Sequence, residues 1–232
     1  MHETTGAEIR LMLKGKGYVQ MRKRLLNLAR KVLGLRPSAS ENWRRFSEYL
    51  EIHPTVIIGQ GATLLIDELP KNPRIMVKIG EGSHIFGRLS LINEEAEIVI
   101  GRNCQIGSSD LIASKKITIG DDVIVSWGCT LLDSDNHSIF WKYRKEDVSI
   151  ARKSHLATDG ERITQGHNWE YVQRVPIEIG DKTYVGMNSV ILKGVKIGEQ
   201  CVIGANTVVR KSLPAKTISI GNPSVIIGEI TE

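Results

Sequence analysis

Aliphatic residues recur at every sixth position through the second half of the chain. Six successive repeats follow this spacing, at Ile179, Val185, Ile191, Ile197, Ile203 and Val209. Glycine directly follows four of these residues. A period of six is neither the 3.6 of a helix nor the alternation of a long strand. It indicates short strands joined by corners, with one inward side chain returning at each face of a prism. The predicted fold is therefore an all-β, parallel β-helix of hexapeptide repeats.

The same spacing appears upstream in shorter groups, between which the phase slips. The groups are Ile119, Val125 and Leu131; Ile100, Ile106 and Ile112; Ile79, Ile85 and Leu91; and Ile58 and Leu64. The slips at 67–78, 93–99 and 113–116 are interpreted as small outward loops. An excess of 29 Ile and 17 Val over 19 Leu favours strands. The repeats predict one solenoid domain over residues 51–228.

The three cysteines follow the same register. Cys104, Cys129 and Cys201 each stand two residues before an inward aliphatic, a position that Thr183, Ser189 and Thr207 also occupy. This position favours a small, partly buried side chain, so a structural role is preferred over a catalytic one. The absence of CxxC spacing argues for a reducing compartment and against a disulfide scaffold.

The net charge of +5 is concentrated at one end of the chain. Residues 1–36 hold nine basic and two acidic side chains, and the remaining 196 residues hold 22 basic and 24 acidic ones. Apolar residues spaced by three and four predict an amphipathic helix over 18–35, within a basic, partly helical segment spanning 1–50. Residues 10–36 could contact an anionic membrane surface, or pack on the body or on another subunit. Nucleic acid is not expected, because no aromatic platform accompanies the charge.

The hexapeptides stop between residues 133 and 176. This inserted segment carries three of the six histidines, two of the four tryptophans and two of the five tyrosines. Irregular segments of such length are usually functional or disordered, and the titratable and aromatic content favours function. No apolar run is long enough to span a bilayer, so a cytoplasmic protein is predicted, with contact to the inner face of the membrane as an open alternative.

The insertion begins with a D-x-D-x-H motif. His137 follows Asp133 and Asp135, and a histidine at the edge of a solenoid can take a proton from a hydroxyl. A carboxylate on its other nitrogen would fix the tautomer, which makes His137 and Asp135 the candidate catalytic pair. A zinc site built from His137, His155 and His167 is the alternative, but these residues lack coil spacing, and no metal is expected.

Two stretches carry a resemblance to a known family. The segment SWGCTLLDSDNHSI, over 126–139, and the closing pattern with Pro214 and G-N-P-S at 221–224 resemble hexapeptide-repeat O-acetyltransferases. This family includes galactoside, maltose and nodulation-factor acetyltransferases and enzymes that acetylate bacterial polysaccharides. The resemblance implies a left-handed β-helix, an acetyl-CoA donor, a homotrimer with active sites between neighbouring solenoids, and a catalytic histidine at the position of His137.

The resemblance also implies a path for coenzyme A along the C-terminal coils. The matching residues are Tyr184, Met187, Ala205, Arg210 and Lys211, and the two basic side chains suit the phosphates. Many relatives have tryptophan in place of Tyr184, a small residue in place of Met187, and a basic residue where this chain has aliphatic ones at 225–227. Trp127, Trp141 and Trp169 could stack on a sugar or on adenine, or could pack the insertion onto a neighbouring subunit.

The expected activity is acetyl transfer from acetyl-CoA to a hydroxyl of a sugar or surface glycan. An amine acceptor, on an amino sugar or an antibiotic, also needs a base. It therefore remains an alternative. A non-catalytic β-helix scaffold is the third possibility, disfavoured by the histidine motif and the long insertion.

Overall fold

Short strands are the main regular secondary structure in the computed structural model, which describes residues 39–157 and 169–231. Twelve strands precede the insertion: β1 Leu50–Ile52, β2 Ile57–Ile58, β3 Thr63–Ile66, β4 Val77–Ile79, β5 His84–Ile85, β6 Arg88–Leu91, β7 Glu97–Ile100, β8 Gln105–Ile106, β9 Asp110–Ala113, β10 Lys116–Ile119, β11 Ile124–Val125 and β12 Thr130–Leu132. Eight follow it: β13 Ile177–Ile179, β14 Tyr184–Val185, β15 Val190–Leu192, β16 Lys196–Ile197, β17 Val202–Ile203, β18 Val208–Val209, β19 Thr217–Ile220 and β20 Val225–Glu229.

Helices in the described ranges are few and lie outside the coils. They are α1 Ala39–Arg44, α2 Trp141–Arg144 and α3 Asp147–Ala157, with single 3-10 turns at Ser47–Tyr49 and Trp169–Tyr171. None of these helices is long and apolar enough to cross a bilayer. The predicted basic helix at 18–35, and with it the proposed surface contact of 10–36, lies outside the described residues.

The strands form three sheets, and from β1 to β18 every third strand belongs to the same sheet. The first face has the order β1-β4-β7-β10-β13-β16 and the third face the order β3-β6-β9-β12-β15-β18. The second face has the order β2-β5-β8-β11-β14-β17-β19-β20. All neighbouring pairs are parallel except β19 with β20, which folds back antiparallel. Each coil of the solenoid therefore contributes one strand to each face, as the six-residue period predicts.

The inward positions of the repeat form the core. The six consecutive aliphatics from 179 to 209 are all buried, with at most 3 % of their surface exposed. One predicted inward residue is wrong: Ile112 is only half-buried, and Leu111 faces the core beside Leu131 of the next coil. The corner that follows Ile106 is one residue shorter than a regular hexapeptide. This shift exchanges the inward and outward positions.

The cysteines occupy small buried positions at the corners, as predicted. Each thiol lies near the backbone carbonyl of the next coil, with Cys104 Sγ 3.0 Å from Gly120 O and Cys129 Sγ 3.2 Å from Gly186 O. Hydroxyls do the same elsewhere in the ladder, and Thr183 Oγ1 donates to Gly198 O. Burial raises the pKa of all three thiols. The thiolate form is thus disfavoured, which supports a structural role.

The corners require unusual backbone conformations. Residues with positive φ near 57° recur at equivalent corners of successive coils, among them Asn103, Asp122, Lys182 and Gln200. Asn and Asp tolerate this left-handed region better than most residues. Gly180 serves a different need, because its backbone passes close to that of the coil beyond it.

We expect Gly180→Ala to destabilise the fold by roughly 1–3 kcal/mol, since overpacking forces backbone shifts. A Cβ at this position would come within 2.5 Å of Glu199 N and 2.7 Å of Gly198 C, atoms that cannot move independently. Gly228→Ala is the control, because its Cβ would meet only Ile218 Cδ1 at 3.8 Å. Urea unfolding of both variants measures the difference, and equal stabilities would contradict the close approach.

The predicted phase slips share one corner of the prism. Those at 67–78, 93–99 and 113–116 all fall where a third-face strand connects to a first-face strand. The insertion over 133–176 leaves β12 and enters β13 at this same corner. Extra residues are accommodated here without disturbing the ladders of the three faces.

The core extends before the first strand. Trp43 of α1 and Phe46 are 4 % and 7 % exposed and join the cluster that fills the solenoid. Asn42 Oδ1 accepts a hydrogen bond of 2.7 Å from the N–H of Leu64, which fixes α1 against β3. Residues from 39 onward therefore form one compact unit with the coils.

Candidate active site

The two ends of the insertion pair with each other. Val175 N–H donates to Asp133 O at 2.8 Å, and Asp135 N–H donates to Gln173 O at 3.0 Å. An antiparallel bridge joins Ser134 to Arg174 between them. This pairing fixes the start of the insertion against the solenoid, and with it the D-x-D-x-H motif.

Asp133 is an internal structural residue. Its side chain is fully buried, and its carboxylate accepts hydrogen bonds of 2.7, 2.8 and 2.7 Å from the N–H groups of Ser114, Lys115 and Lys116. Burial raises the pKa of this carboxyl, and the three N–H donors and then the charge of Arg174 oppose the rise. Asp133 thus connects the insertion to the corner of the preceding coil.

The Asp135 carboxylate contacts a lysine. It forms an ion pair with Lys193 Nζ at 2.7 Å. The backbone turns at Asn136, which has φ 58°, and the N–H of His137 donates to Asp135 O at 2.6 Å. The catalytic role predicted for Asp135 stays a prediction.

A different carboxylate contacts the imidazole. His137 Nδ1 lies 2.6 Å from Oδ2 of Asp147, the first residue of α3. The His137 side chain is 56 % exposed, whereas that of Asp147 is 6 % exposed. A buried carboxylate therefore holds a solvent-accessible ring. The contact of Asp147 with His137 could not be predicted from the sequence, because an acidic residue at the start of a helix is usually explained by the helix dipole alone.

Aromatic residues surround this part of the insertion. Tyr143 of α2 stacks on Tyr171 with a centroid distance of 3.5 Å and an interplanar angle of 2°, and Phe140 contacts Tyr143 edge-on. Trp141 is 68 % exposed. Trp169 lies half-buried in the 3-10 turn that contains Tyr171. The tyrosine stack, which the sequence did not predict, connects the two described ends of the insertion.

Three predicted binding residues lie in one column. Trp127, Met187 and Ala205 follow β11, β14 and β17 at the corner between the second and third faces. The N–H after Met187, of Asn188, donates to Trp127 O at 3.0 Å, and the N–H of Asn206 donates to Met187 O at 2.9 Å. Trp127 is 61 % exposed and Met187 39 % exposed. We call these three residues the corner ridge.

The other predicted binding residues lie on either side of the corner ridge. Tyr184 is on the second face, aligned with Ile124 and Val202 of the neighbouring coils, and is 42 % exposed. Arg210 and Lys211 are exposed and follow β18, at the far side of the third face. The structure therefore groups the corner ridge with Tyr184, while the two basic residues lie at the other end of β18.

The G-N-P-S segment closes the last coil. Gly221 N–H donates to Thr207 Oγ1 at 3.2 Å, and Ser224 N–H donates to Val208 O at 2.9 Å. The aliphatic residues that follow lie on β20 and are exposed: Val225, Ile226 and Ile227. The absence of a basic residue here leaves this edge of the solenoid apolar.

The described residues contain no group of three or more side chains arranged to hold a metal ion. The Nδ1 atom of His137 contacts the carboxylate of Asp147. Of the other two histidines in the zinc alternative, His167 and the side chain of His155 lie outside the described residues.

Two family profiles match the coils. The profile described as bacterial transferase hexapeptide (six repeats) matches residues 176–211, and the profile described as hexapeptide repeat of succinyl-transferase matches residues 97–132. A polysialic acid O-acetyltransferase of Escherichia coli is 33 % identical over 153 residues, which are 65 % of this chain and 42 % of that protein. The coils of the chain thus carry the repeats of both profiles, and the chain is similar to hexapeptide-repeat acetyltransferases.

Solved structures agree with this assignment. The crystal structure of NeuO, the polySia-specific acetyltransferase, superposes with a TM-score of 0.58 at 26 % identity, covering 78 % of this chain and 71 % of that one. AntD, an N-acyltransferase from Bacillus cereus solved with dTDP and coenzyme A, superposes with a TM-score of 0.59 at 19 % identity. It covers 81 % of this chain and 88 % of its own, and at this identity the likeness concerns the fold alone.

The predicted left-handed β-helix of hexapeptide repeats is therefore confirmed. The chain spans less than half the length of the curated relatives that it matches.

Proposed function

We propose that this hexapeptide-repeat acetyltransferase transfers the acetyl group of acetyl-CoA to a hydroxyl of a sugar or surface glycan. The observation that carries the proposal is the exposed His137 ring held at Nδ1 by the buried carboxylate of Asp147. Nucleophile activation by a positioned base is the step that acyl transfer to a hydroxyl requires. The likeness to a polysialic acid O-acetyltransferase favours a polymer of acidic sugars as the acceptor.

The proposed reaction begins with proton transfer. His137 Nε2 removes the proton of the acceptor hydroxyl as its oxygen attacks the thioester carbon. The tetrahedral oxyanion collapses, the C–S bond breaks, and the imidazolium returns the proton to the departing thiolate. The products are an acetyl ester and coenzyme A with a free thiol. Backbone N–H groups or a donor from the insertion would hold the oxyanion.

The corner ridge is the proposed site for the pantetheine arm of coenzyme A. Trp127 and Met187 provide an exposed apolar strip that runs along successive coils, and Tyr184 stands beside it. Arg210 and Lys211 are exposed cations suited to the phosphates. We propose a homotrimer in which a neighbouring solenoid completes this groove, and Trp141 or Trp169 as contacts of the acceptor sugar.

Transfer to an amine remains the second candidate. AntD, named as an N-acyltransferase, shares the fold, and an amine also needs a base to lose its proton. The stability of the product distinguishes the two acceptors, because an acetyl ester is removed by mild alkali and an acetamide is not.

The test combines donor consumption with product analysis. We expect thiol release from acetyl-CoA in the presence of an acidic glycan polymer, and an alkali-labile acetyl group on that polymer by mass spectrometry. Neutral oligosaccharides and amino sugars are the comparison acceptors. An alkali-stable product would favour the amine acceptor. Absence of both acetyl-CoA binding by calorimetry and thiol release would contradict an enzymatic role and favour a scaffold.

A further inference from the structure

We infer that Asp147 is the positioning residue of His137, so that the inserted helix α3 completes the base that the solenoid corner presents. The inference rests on the proposed function for its catalytic meaning. The structural part of it, a carboxylate that fixes the proton on one ring nitrogen, stands on the 2.6 Å contact between His137 Nδ1 and Asp147 Oδ2.

The contact determines which nitrogen carries the proton. An ionised carboxylate only accepts hydrogen bonds, so the imidazole must present Nδ1–H to Asp147. Nε2 is then the basic nitrogen, on a ring that is 56 % exposed and can reach a bound hydroxyl. The carboxylate also stabilises the imidazolium that forms when Nε2 takes a proton. Both effects serve general-base chemistry.

The surroundings keep the Asp147 carboxylate in place. Asp147 begins an eleven-residue helix, whose N-terminal end carries a partial positive charge that favours an anion there. Its side chain is 6 % exposed, so water competes little with the histidine ring for this carboxylate. The helix thus fixes the direction of the carboxylate and stabilises its negative charge.

The other charged groups near the ring have different contacts. The Asp135 carboxylate is paired with Lys193 at 2.7 Å. The guanidinium of Arg144, on α2, donates to Ser138 O at 3.0 Å. Asp147 is the carboxylate that contacts the His137 ring.

The first test needs no substrate and examines the histidine alone. Nitrogen-detected NMR of the full-length protein, with the His137 signals assigned by their loss in His137→Gln, reports which ring nitrogen carries the proton. In the wild type we expect Nδ1–H on the neutral ring. Asp147→Ala should shift the neutral ring toward Nε2–H. An unchanged tautomer in this variant would overturn the inference, whatever reaction the protein catalyses.

The second test is kinetic and uses a matched control. Asp147→Asn should lower kcat about 10²-fold and leave the KM for acetyl-CoA within twofold. Glu146→Gln removes the same charge from the preceding exposed residue and should leave both quantities unchanged. Asp147→Glu should recover part of the lost kcat. Equal losses in the Asn and Gln variants would reduce Asp147 to a helix-dipole role and contradict the inference.

The two tests separate the possible failures. Wild-type protein without transferase activity but with Nδ1–H on His137 would contradict the proposed function and keep the positioning contact. Active wild-type protein whose Asp147→Asn variant retains full kcat would contradict the positioning role and keep the proposed function.

Discussion

Replacing His137 by alanine should reduce kcat for acetyl transfer by about 10²- to 10⁴-fold, the range typical for loss of a general base. The acceptor hydroxyl must lose its proton as it attacks the thioester, and the imidazole is the exposed basic group that Asp147 positions at 2.6 Å. The KM for acetyl-CoA should change little, because the corner ridge that we propose for coenzyme A lies between the second and third faces, whereas His137 follows β12 at a different corner. Thiol release from acetyl-CoA with the best acceptor of the screen gives kcat and KM.

The control for this prediction is His53→Ala. His53 is exposed near the start of the solenoid, and its Nδ1 contacts Thr55 Oγ1 at 2.9 Å. We expect it to keep wild-type kcat. Calorimetry should give both variants the wild-type affinity for acetyl-CoA. A kcat of His137→Ala within tenfold of the wild-type value would exclude His137 as the base. Weakened acetyl-CoA binding in this variant would mean that His137 acts in binding the acetyl donor.

The fold could be predicted because each coil repeats the same local demand. An inward aliphatic every six residues is visible in a single sequence, and six consecutive matches leave little freedom in register. The error at Ile112 shows the limit of this pattern. The corner before β9 is shortened by one residue, and β9 carries two adjacent aliphatics, Leu111 and Ile112. Only the pairing of Leu111 with Leu131 shows which of the two faces inward.

The candidate site could be predicted only where it depends on local sequence. His137 stands out because its motif follows directly from a coil. Its carboxylate partner comes from a helix ten residues further on, and a helix start does not reveal which side chain it will meet. The motif suggested Asp135 as the catalytic partner of His137, whereas the structure places the Asp133 carboxylate on backbone N–H groups and the Asp135 carboxylate on Lys193. Side-chain direction within a turn was the missing information.

The second large effect should be on stability, at Asp133. Replacing it by alanine leaves three N–H groups at 114–116 without their acceptor, one in a buried and two in partly buried surroundings. An unsatisfied buried donor costs about 1–3 kcal/mol, and partial relaxation makes the three less than additive. We therefore expect Asp133→Ala to lower the free energy of unfolding by about 3–5 kcal/mol in urea titrations.

Asp135→Ala is the matched control for Asp133→Ala, because it removes a carboxylate from the same motif. It breaks one half-buried ion pair with Lys193, so we expect a loss of only about 1 kcal/mol. Equal stabilities of the two variants would show that the corner at 114–116 finds other acceptors.

The Asp133 contribution should also depend on pH in a defined direction. Burial raises the pKa of this carboxyl in the folded protein above its usual value of 3.8. A group with a raised folded pKa stabilises most below the unfolded pKa, and this part is lost as pH rises through the folded value. The stability difference between wild type and Asp133→Ala should therefore be largest below pH 3.8 and narrow as the pH rises. A difference that widens with pH would mean that the three N–H donors outweigh burial and lower the pKa instead.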